Sequence, residues 1–242
     1  MVTTINRLLE RIENAFKLQK TFISNVSHEL KNPLTKISSQ LEVSLLKARE
    51  NEEYQSTIKS VLEDTQELSG ITESLLELNK ISLTEYQISF HIHRVDEILW
   101  DSRSLTQKLH DGYKVIIDTQ EMPDDEELLE IKADDKLILT AFKNLMENAC
   151  KFSPNKTAFV KLQIDKQQIK IDFKNEGKGI PAADLPYIFQ PFFRAENTAA
   201  SKGYGIGLSL VERIIQLHNG IIQVQSETNG WTTFTVILPV NQ

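Results

Sequence analysis

Residues 22 to 34 read Phe22-Ile-Ser-Asn-Val-Ser-His28-Glu29-Leu-Lys-Asn32-Pro33-Leu34, and this stretch decides how the first third of the chain is interpreted. Apolar residues at helical spacing on both sides predict a helix, with Asn32 four residues after His28 on the same face. Glu29 places a carboxylate beside the histidine. Pro33 has no N–H, so we expect it to disturb the helix locally. A nucleophile, a candidate base and a helix disturbance thus fall together, and we expect the chemistry there.

The overall composition is that of a globular protein with an acidic balance. The 242 residues carry a formal net charge of −7, with 40% hydrophobic and 25% charged residues. This balance disfavours bulk binding to nucleic acid or to an anionic membrane. No apolar stretch reaches the roughly 18 residues of a membrane-spanning helix, so we expect the chain itself not to be membrane-inserted. The single cysteine, Cys150, excludes an internal disulfide and fits a reducing compartment.

The first third of the chain predicts two long helices. Apolar residues from Ile5 to Leu45 recur at steps of three and four, and a second stripe runs from Ile58 to Leu78. The polar stretch 49–53 between them is interpreted as the turn of an antiparallel hairpin. One hairpin cannot hide both stripes, whereas two copies packed as a four-helix bundle can. We therefore predict a homodimer through this region.

The pattern changes near Leu83, where helices and strands begin to alternate. We predict helices over 95–109, 134–150 and 204–218, and strands over 87–93, 113–118, 128–132, 158–164, 168–173, 221–226 and 231–238. This mixture predicts a sheet with helices on one face. The expected organisation is a coiled-coil-like helix over 1–20, a helical hairpin domain over 21–84 and an α/β domain over 85–242.

Three clusters in the second domain are suited to a nucleotide. Asn144, Asn148 and Lys151 project from one helix face, where amide oxygens can ligate a hard cation and the ammonium can bind phosphate. The glycines of 175–179 follow a strand, and those of 203–207 open a helix whose backbone N–H groups suit phosphate. The dinucleotide-binding and P-loop patterns are not matched. Taken alone, each cluster also fits a polar helix face or a turn.

Together with the helix at His28, the order of these clusters resembles the bacterial sensor histidine kinases of two-component systems. Residues 27–34 match the family's H box and 144–151 its N box, while 175–179, 188–194 and 203–207 are similar to its G1, F and G2 boxes. The resemblance covers nearly the whole chain. It implies a helical hairpin that forms a dimeric four-helix bundle, followed by an α/β-sandwich ATP-binding domain of the Bergerat or GHKL type. Residues between Pro186 and Gly203 would form a mobile lid.

The resemblance also implies the mechanism and its residues. His28 would take the γ-phosphoryl group of Mg-ATP, with Glu29 accepting a ring proton, and pass it to an aspartate of a separate response regulator. Glu29 and Asn32 resemble the pair found in members that dephosphorylate their regulator, where Asn32 would orient water. The implied ATP-binding residues are Asn144, Asn148, Lys151, Asn175, Gly177, Gly179, Phe193, Arg194, Gly203, Gly205 and Gly207, with Asn148 as the Mg²⁺ ligand. The chain would lie on the cytoplasmic side of the cell membrane, fused to a membrane sensor region that these residues lack.

Two positions depart from the family pattern. Asn175 stands where an aspartate usually accepts a hydrogen bond from the adenine amino group. An amide oxygen can still accept, but it gives up a charge-assisted bond worth on the order of 1 kcal/mol. We therefore predict retained but weaker ATP binding. Tyr204 stands where a small or amide residue is common, and its ring is expected to stack on or line the lid.

Two other functions are weighed against this one. An ATPase or serine kinase on the same nucleotide fold would carry a general-base glutamate at the position of Asn144, and Glu147 lies on a different helix face. A scaffold with a degenerate ATP domain rests only on Asn175. The remaining histidines are interpreted plainly: His91 and His93 as surface residues rather than metal ligands, and His110 and His218 as residues near helix ends, where a cation is favourable.

Overall fold

The computed structural model describes residues 2–83, 89–119, 122–123, 126–165, 168–195 and 204–240, and for 2–19, 21–22 and 77–83 it describes the backbone only. The chain divides into two compact units, Met1–Glu77 and Leu78–Gln242. The first is helical, and the second mixes helices with strands.

The helical unit contains the two long helices that the apolar stripes predict. Helix α1 spans Val2–Leu45 and helix α2 spans Asn51–Leu83. The connection covers 46–50 rather than 49–53, because Asn51 begins α2 and two glutamates occupy its first turn, where the helix dipole favours negative charge. Helix α1 continues through Pro33, so the missing N–H does not end the helix.

Contacts between α1 and α2 involve polar side chains as well as apolar ones. Asp64 is 3% exposed and accepts hydrogen bonds from Lys36 Nζ and from Gln40 Nε2. Gln40 Nε2 also lies 3.1 Å from the hydroxyl of Ser60. Many large apolar side chains of the hairpin remain exposed instead: Ile23, Leu34, Leu41, Val43, Leu45, Leu46, Ile58, Leu62 and Leu76. Within one chain, the described part of the hairpin therefore leaves much of its apolar stripe uncovered.

The second unit contains three helices and seven strands among its described residues. The helices are α3 (Val95–Leu109), α4 (Asp135–Phe152) and α5 (Gly207–Leu217). The strands are β1 (His91–Arg94), β2 (Lys114–Asp118), β3 (Glu130–Ala133), β4 (Thr157–Ile164), β5 (Gln168–Glu176), β6 (Ile221–Ser226) and β7 (Trp231–Pro239). Short 3₁₀ turns cover Glu126–Leu129 and Leu185–Tyr187.

Most of these elements match the predicted ones, and the differences fall at their ends. Helix α3 agrees with the prediction at both ends, whereas α5 begins at Gly207 rather than at Tyr204. Leu128 and Leu129 belong to a 3₁₀ turn that precedes β3. Gln87 and Ile88, which were predicted to start the first strand, lie outside the described residues.

A five-stranded sheet with the order β2-β4-β5-β7-β6 forms the frame of this unit. Strands β2 and β4 run parallel, and the other pairs are antiparallel. Alternate residues of the strands, such as Phe173 and its partner Phe234, are buried with apolar residues of the three helices. The prediction of a sheet with helices on one face is confirmed. The pairing of β1 with β3 as a separate two-stranded sheet was not predicted.

Of the helices that the structure describes, none combines the length and the apolar composition needed to span a bilayer.

Candidate functional site

Helix α4 presents the predicted polar face because its other face is buried. Asp134 caps the helix by accepting a hydrogen bond from the Leu137 N–H at 3.1 Å. The buried side chains of the helix are Ile138, Ala141, Phe142, Leu145, Met146, Ala149 and Cys150. Burying this stripe fixes the rotation of the helix, so Asn144, Asn148 and Lys151 share the partly exposed face.

Asn144 links the middle of α4 to the start of α5. Its Nδ2 donates to the Thr140 carbonyl at 2.8 Å, which turns Oδ1 toward Gly207. A Cβ on Gly207 would lie only 2.8 Å from that oxygen, so a larger residue would push the two helices apart. Glu147 points elsewhere, with its carboxylate 3.2 Å from His110 Nε2. Among the described residues of α4, no carboxylate therefore takes the place of the general base that an ATPase would use.

Asn148 is the residue of α4 best suited to a metal ion. Its side chain is half-buried, and it makes no hydrogen bond within the part of the chain that the structure describes. Those residues also contain no group of three or more His, Cys, Asp or Glu that could hold a metal. One amide oxygen from the protein fits magnesium, which usually keeps several waters and takes further ligands from substrate phosphates.

Two predicted phosphate contacts lie near each other although they are far apart in sequence. Lys151 is half-buried on α4, and Arg194 is exposed after the Phe192-Phe193 pair. Burial lowers the pKa of Lys151, and the positive charge of Arg194 lowers it further. Two cations at short range repel each other, and a polyphosphate would relieve that repulsion.

Asn175, at the end of β5, is buried with a defined orientation. It is 4% exposed, and its Nδ2 donates to the Glu176 carbonyl at 3.2 Å. Rotating the amide by 180° would set two oxygens against each other, so Oδ1 is the atom left to accept from a ligand. Within the described residues, Oδ1 accepts no hydrogen bond. Oδ1 is thus oriented to accept a hydrogen bond from an adenine amino group. Nδ2 carries two hydrogens, so its bond to the backbone leaves the second hydrogen for a ligand.

The glycines after β5 make room for the protein's own backbone. Gly179 has φ +74°, and a Cβ there would clash with the Glu227 carbonyl oxygen. A Cβ on Gly177 would clash with the Phe152 carbonyl oxygen at the end of α4. The N–H of Gly177 donates to the carbonyl of Gly230 at 2.9 Å. The 175–179 loop is thus fastened between α4 and the turn joining β6 to β7.

The glycine-rich start of α5 packs on the phenylalanine pair. Gly205 has φ +70°, and a Cβ there would lie 2.6 Å from the Phe193 carbonyl oxygen. The N–H of Phe192 donates to the Gly205 carbonyl at 2.9 Å. The Phe193 ring lies 5.9 Å from the Tyr187 ring. Tyr204 is half-buried, and Gly203 lies outside the described residues.

His28 occupies an open position on α1 in the first unit. The imidazole and Asn32 are exposed, and Glu29 is half-buried. A groove on the helix surface, the α1 groove, is lined by His28, Lys31, Asn32, Thr35, Lys36, Ser39 and Gln40. Within the described residues, the imidazole makes no hydrogen bond with Glu29 or with any other group. Both ring nitrogens are therefore available to a reaction partner.

His110 and His218 both lie at helix C-termini, as predicted. His218 is 5% exposed, and burial lowers its pKa, which opposes the cation that a helix end favours. Its Nε2 accepts a hydrogen bond from the Asp134 N–H, so the ring is neutral. His110 does have an anionic neighbour, Glu147. Cys150 is a buried core residue, and burial raises the pKa of its thiol to about 11.

Comparison with known proteins gives two family matches in the order found here. The His Kinase A (phospho-acceptor) domain matches residues 18–83. The histidine kinase-, DNA gyrase B- and HSP90-like ATPase matches residues 133–242. Together these ranges cover most of the chain, including His28 in the first and the α4 face in the second.

Curated relatives agree with this order. The signal transduction histidine-protein kinase ArlS of Staphylococcus aureus is 31% identical over 98% of this chain, and that of Staphylococcus epidermidis is 28% identical over 99%. In both cases the match covers 52% of the relative. The chain thus spans about half the length of the curated relatives it matches.

Solved structures share the fold. A complex of histidine kinase ThkA with response regulator protein TrrA matches with a TM-score of 0.72 and 21% identity, over 95% of this chain and 64% of that one. Acinetobacter baumannii histidine kinase AdeS matches with a TM-score of 0.66 and 20% identity, over 89% of this chain and 98% of that one. The chain belongs to the two-component sensor histidine kinases and carries their phospho-acceptor and ATPase domains.

Proposed function

We propose that this chain transfers the γ-phosphoryl group of ATP to His28 and then to an aspartate of a response regulator. The observation that carries the proposal is the exposed imidazole of His28 at the head of the α1 groove. On its own, an exposed histidine on a helix is an ordinary surface residue. Its position inside the phospho-acceptor match, in a chain that also holds an ATPase domain, supports the reactive role.

The first step forms one bond and breaks another. A neutral imidazole attacks with its lone pair, the N–P bond forms, and the bond between the γ-phosphorus and the bridging oxygen of ADP breaks. The other ring nitrogen then loses its proton. Glu29, the adjacent carboxylate, would accept this proton, and within the described residues no hydrogen bond holds the ring away from it.

The nucleotide would be held by the face of α4 and the loops around it. Asn175 Oδ1 would accept from the adenine amino group, and Lys151 and Arg194 would bind phosphate oxygens. Asn148 would ligate magnesium, which when bound neutralises charge that develops on the phosphates. Asn144 positions Gly207, and neither residue offers a base to activate water.

The transfer to the response regulator and the dephosphorylation of that regulator would both take place at the α1 groove. The phosphoryl group would pass to a carboxylate of the regulator, with cleavage of the N–P bond and formation of an acyl–phosphate bond. Lys31 lines the groove and would favour an acidic partner surface, whereas Lys36 is paired with Asp64. In the dephosphorylation reaction, Asn32 would orient the attacking water. ThkA was solved in complex with a response regulator, which supports a partner of this kind.

The same proposal includes a homodimer and a larger receptor. The exposed apolar residues of the hairpin support association of two copies as a four-helix bundle. The relatives are about twice as long as this chain, which leaves room for a membrane sensor region. The domains described here would then lie on the cytoplasmic side of the membrane.

Incubation with ATP labelled at the γ-phosphate tests the proposal against the two alternatives. A histidine kinase gives label on the protein that is stable to alkali and labile to acid. An ATPase gives free phosphate without stable label, and a scaffold gives neither. Label that survives acid would contradict the proposal, because it would indicate a serine, threonine or tyrosine acceptor.

A further inference from the structure

His218 holds together two helices that carry residues of the proposed ATP site. It caps the C-terminus of α5, and its Nδ1 lies 2.7 Å from the Ile214 carbonyl oxygen. Its Nε2 lies 3.1 Å from the backbone nitrogen of Asp134, at the N-terminus of α4. A backbone N–H can only donate, so Nε2 must accept and the ring proton resides on Nδ1. Both nitrogens of the neutral ring are thus used.

The Asp134 N–H has few other choices of acceptor. The carboxylate of Asp134 caps α4 through Leu137, and its carbonyl accepts from the Ile138 N–H at 3.1 Å. The Asp134 N–H, at the N-terminus of α4, has no acceptor within that helix and needs one from another element. The His218 ring supplies it, and the Phe90 ring holds His218 from the side at 5.2 Å between centroids.

Helices α4 and α5 are therefore joined at two points. The first point is Asp134 against His218, and the second is Asn144 against Gly207. Ten residues separate the two points on α4 and eleven on α5, so the contacts are about 15 Å apart on antiparallel helices. The second point adjoins Asn148 and the glycine-rich loop. Loss of the contact between Asp134 and His218 would let one helix tilt against the other. This tilt would change the distance between Asn144 and Gly207.

We propose that His218 is a positioning residue for the nucleotide site: by accepting the Asp134 N–H, it sets how α4 and α5 lie against each other where ATP binds. It does not touch the reacting atoms. This inference rests on the proposed function, because it assumes that the α4 face and the start of α5 hold ATP.

The described surroundings of the ring include open space and charged groups. A cavity of about 260 Å³ adjoins the ring and is lined by residues that include Phe90, Lys132 and Val240. The described charged groups that face the ring are Asp134, which favours its protonation, and Lys132, which lines the cavity. Burial opposes protonation and is the largest influence. A proton on Nε2 would face the Asp134 N–H and break the contact.

Two amide substitutions separate the positioning role from ordinary packing. In His218→Gln, the amide reaches the place of Nε2 and keeps an acceptor for Asp134. In His218→Asn, the shorter amide reaches the place of Nδ1 and keeps only the bond to Ile214. We expect His218→Gln to bind Mg-ATP within twofold of the wild-type dissociation constant and to unfold near the wild-type temperature. His218→Asn should bind roughly three- to tenfold more weakly and unfold a few degrees lower, because the Asp134 N–H is left without an acceptor.

Titration of the full chain with Mg-ATP at pH 8, beside a thermal unfolding curve, measures both quantities. Equal dissociation constants for the two variants would overturn the inference while leaving the proposed function intact. Absence of binding by the wild type would instead contradict the proposed function.

A pH series on the wild type and His218→Gln provides a second test if His218→Asn does not fold. Burial lowers the pKa of His218 below its ordinary 6.5, so the ring gains its proton only as the pH falls below that value. From pH 6.5 down to the onset of acid unfolding, the ATP affinity of the wild type should therefore fall more steeply than that of the glutamine variant. Both proteins see the same titration of ATP itself. Parallel curves would overturn the inference.

Discussion

The helical hairpin and the α/β unit differ in how far their apolar side chains are buried within one chain. In the α/β unit, side chains such as Phe142 and Ile214 are fully buried, and the core joins three helices to one sheet. In the hairpin, Ile58 is 64% exposed and Leu62 is 56% exposed, while the carboxylate of Asp64 is buried. The α/β unit therefore has its core within one chain, whereas the hairpin leaves much of its apolar stripe exposed, which supports the association of two copies proposed above.

The largest effect is expected from Phe142→Ala. Removing a fully buried phenylalanine should lower the free energy of unfolding of the α/β unit by about 3–5 kcal/mol, independently of protein concentration. Both tryptophans, Trp100 and Trp231, lie in this unit, so urea unfolding followed by their fluorescence reports on it alone. Leu109→Ala, at an exposed leucine, is the control and should change little. If the free energy of unfolding falls by less than about 1 kcal/mol, Phe142 is not part of a closely packed core.

A smaller effect, but one that depends on concentration, is expected from Leu62→Lys. A charge in the exposed stripe should raise the dimer dissociation constant roughly a hundredfold, since about 2–3 kcal/mol is lost at an interface centre. Analytical ultracentrifugation measures this constant. Ser56→Lys adds the same charge at an exposed polar position of α2 and should leave it unchanged. If both variants dimerise like the wild type, the stripe is not the dimer interface.

Asn175→Asp should affect ligand binding and folding in opposite directions. The carboxylate gains a charge-assisted bond to adenine, which should tighten ATP binding roughly five- to tenfold. It also loses the bond from Nδ2 to the Glu176 carbonyl, so the free protein should be less stable by about 1–3 kcal/mol. Nucleotide titration and urea unfolding without nucleotide measure the two effects. Weaker ATP binding by the variant would show that the amide of Asn175 is the better ligand here.

The smallest effect is expected from Thr106→Val. Thr106 is fully buried on α3, and its hydroxyl has no hydrogen-bond partner among the described residues. Valine has nearly the same shape without the polar atom, so the α/β unit should gain up to about 1 kcal/mol. Thr140→Val is a contrasting change, because the hydroxyl of Thr140 donates to the Lys136 carbonyl at 2.9 Å. Destabilisation by Thr106→Val would indicate that its hydroxyl is satisfied in solution.

The sequence predicts those features that local patterns determine. The 3.6-residue periodicity identifies α1, α2 and α3, and period-two alternation identifies β4 to β7. The shared face of Asn144, Asn148 and Lys151 follows from spacing alone. Family resemblance implies that Lys151 and Arg194 each bind ATP, but no local rule brings residues 43 positions apart together, so their electrostatic interaction is a finding of the structure.

Features that depend on distant contacts were missed or misinterpreted. The neutral state of His218 depends on Asp134 and Phe90, which lie 84 and 128 positions earlier in the chain. The pairing of β1 with β3 likewise depends on a register between separated segments. The disturbance predicted at Pro33 does not end α1, which continues through this residue, and a local bend there stays a prediction.

The most direct test of the account is phosphorylation of His28→Ala beside His91→Ala. His91 is also an exposed histidine, but it lies on β1 of the α/β unit. With ATP labelled at the γ-phosphate, the account predicts no acid-labile label on His28→Ala, although this variant still binds ATP, and wild-type labelling of His91→Ala. Acid-labile label on His28→Ala would contradict the assignment of His28 as the phosphoryl acceptor.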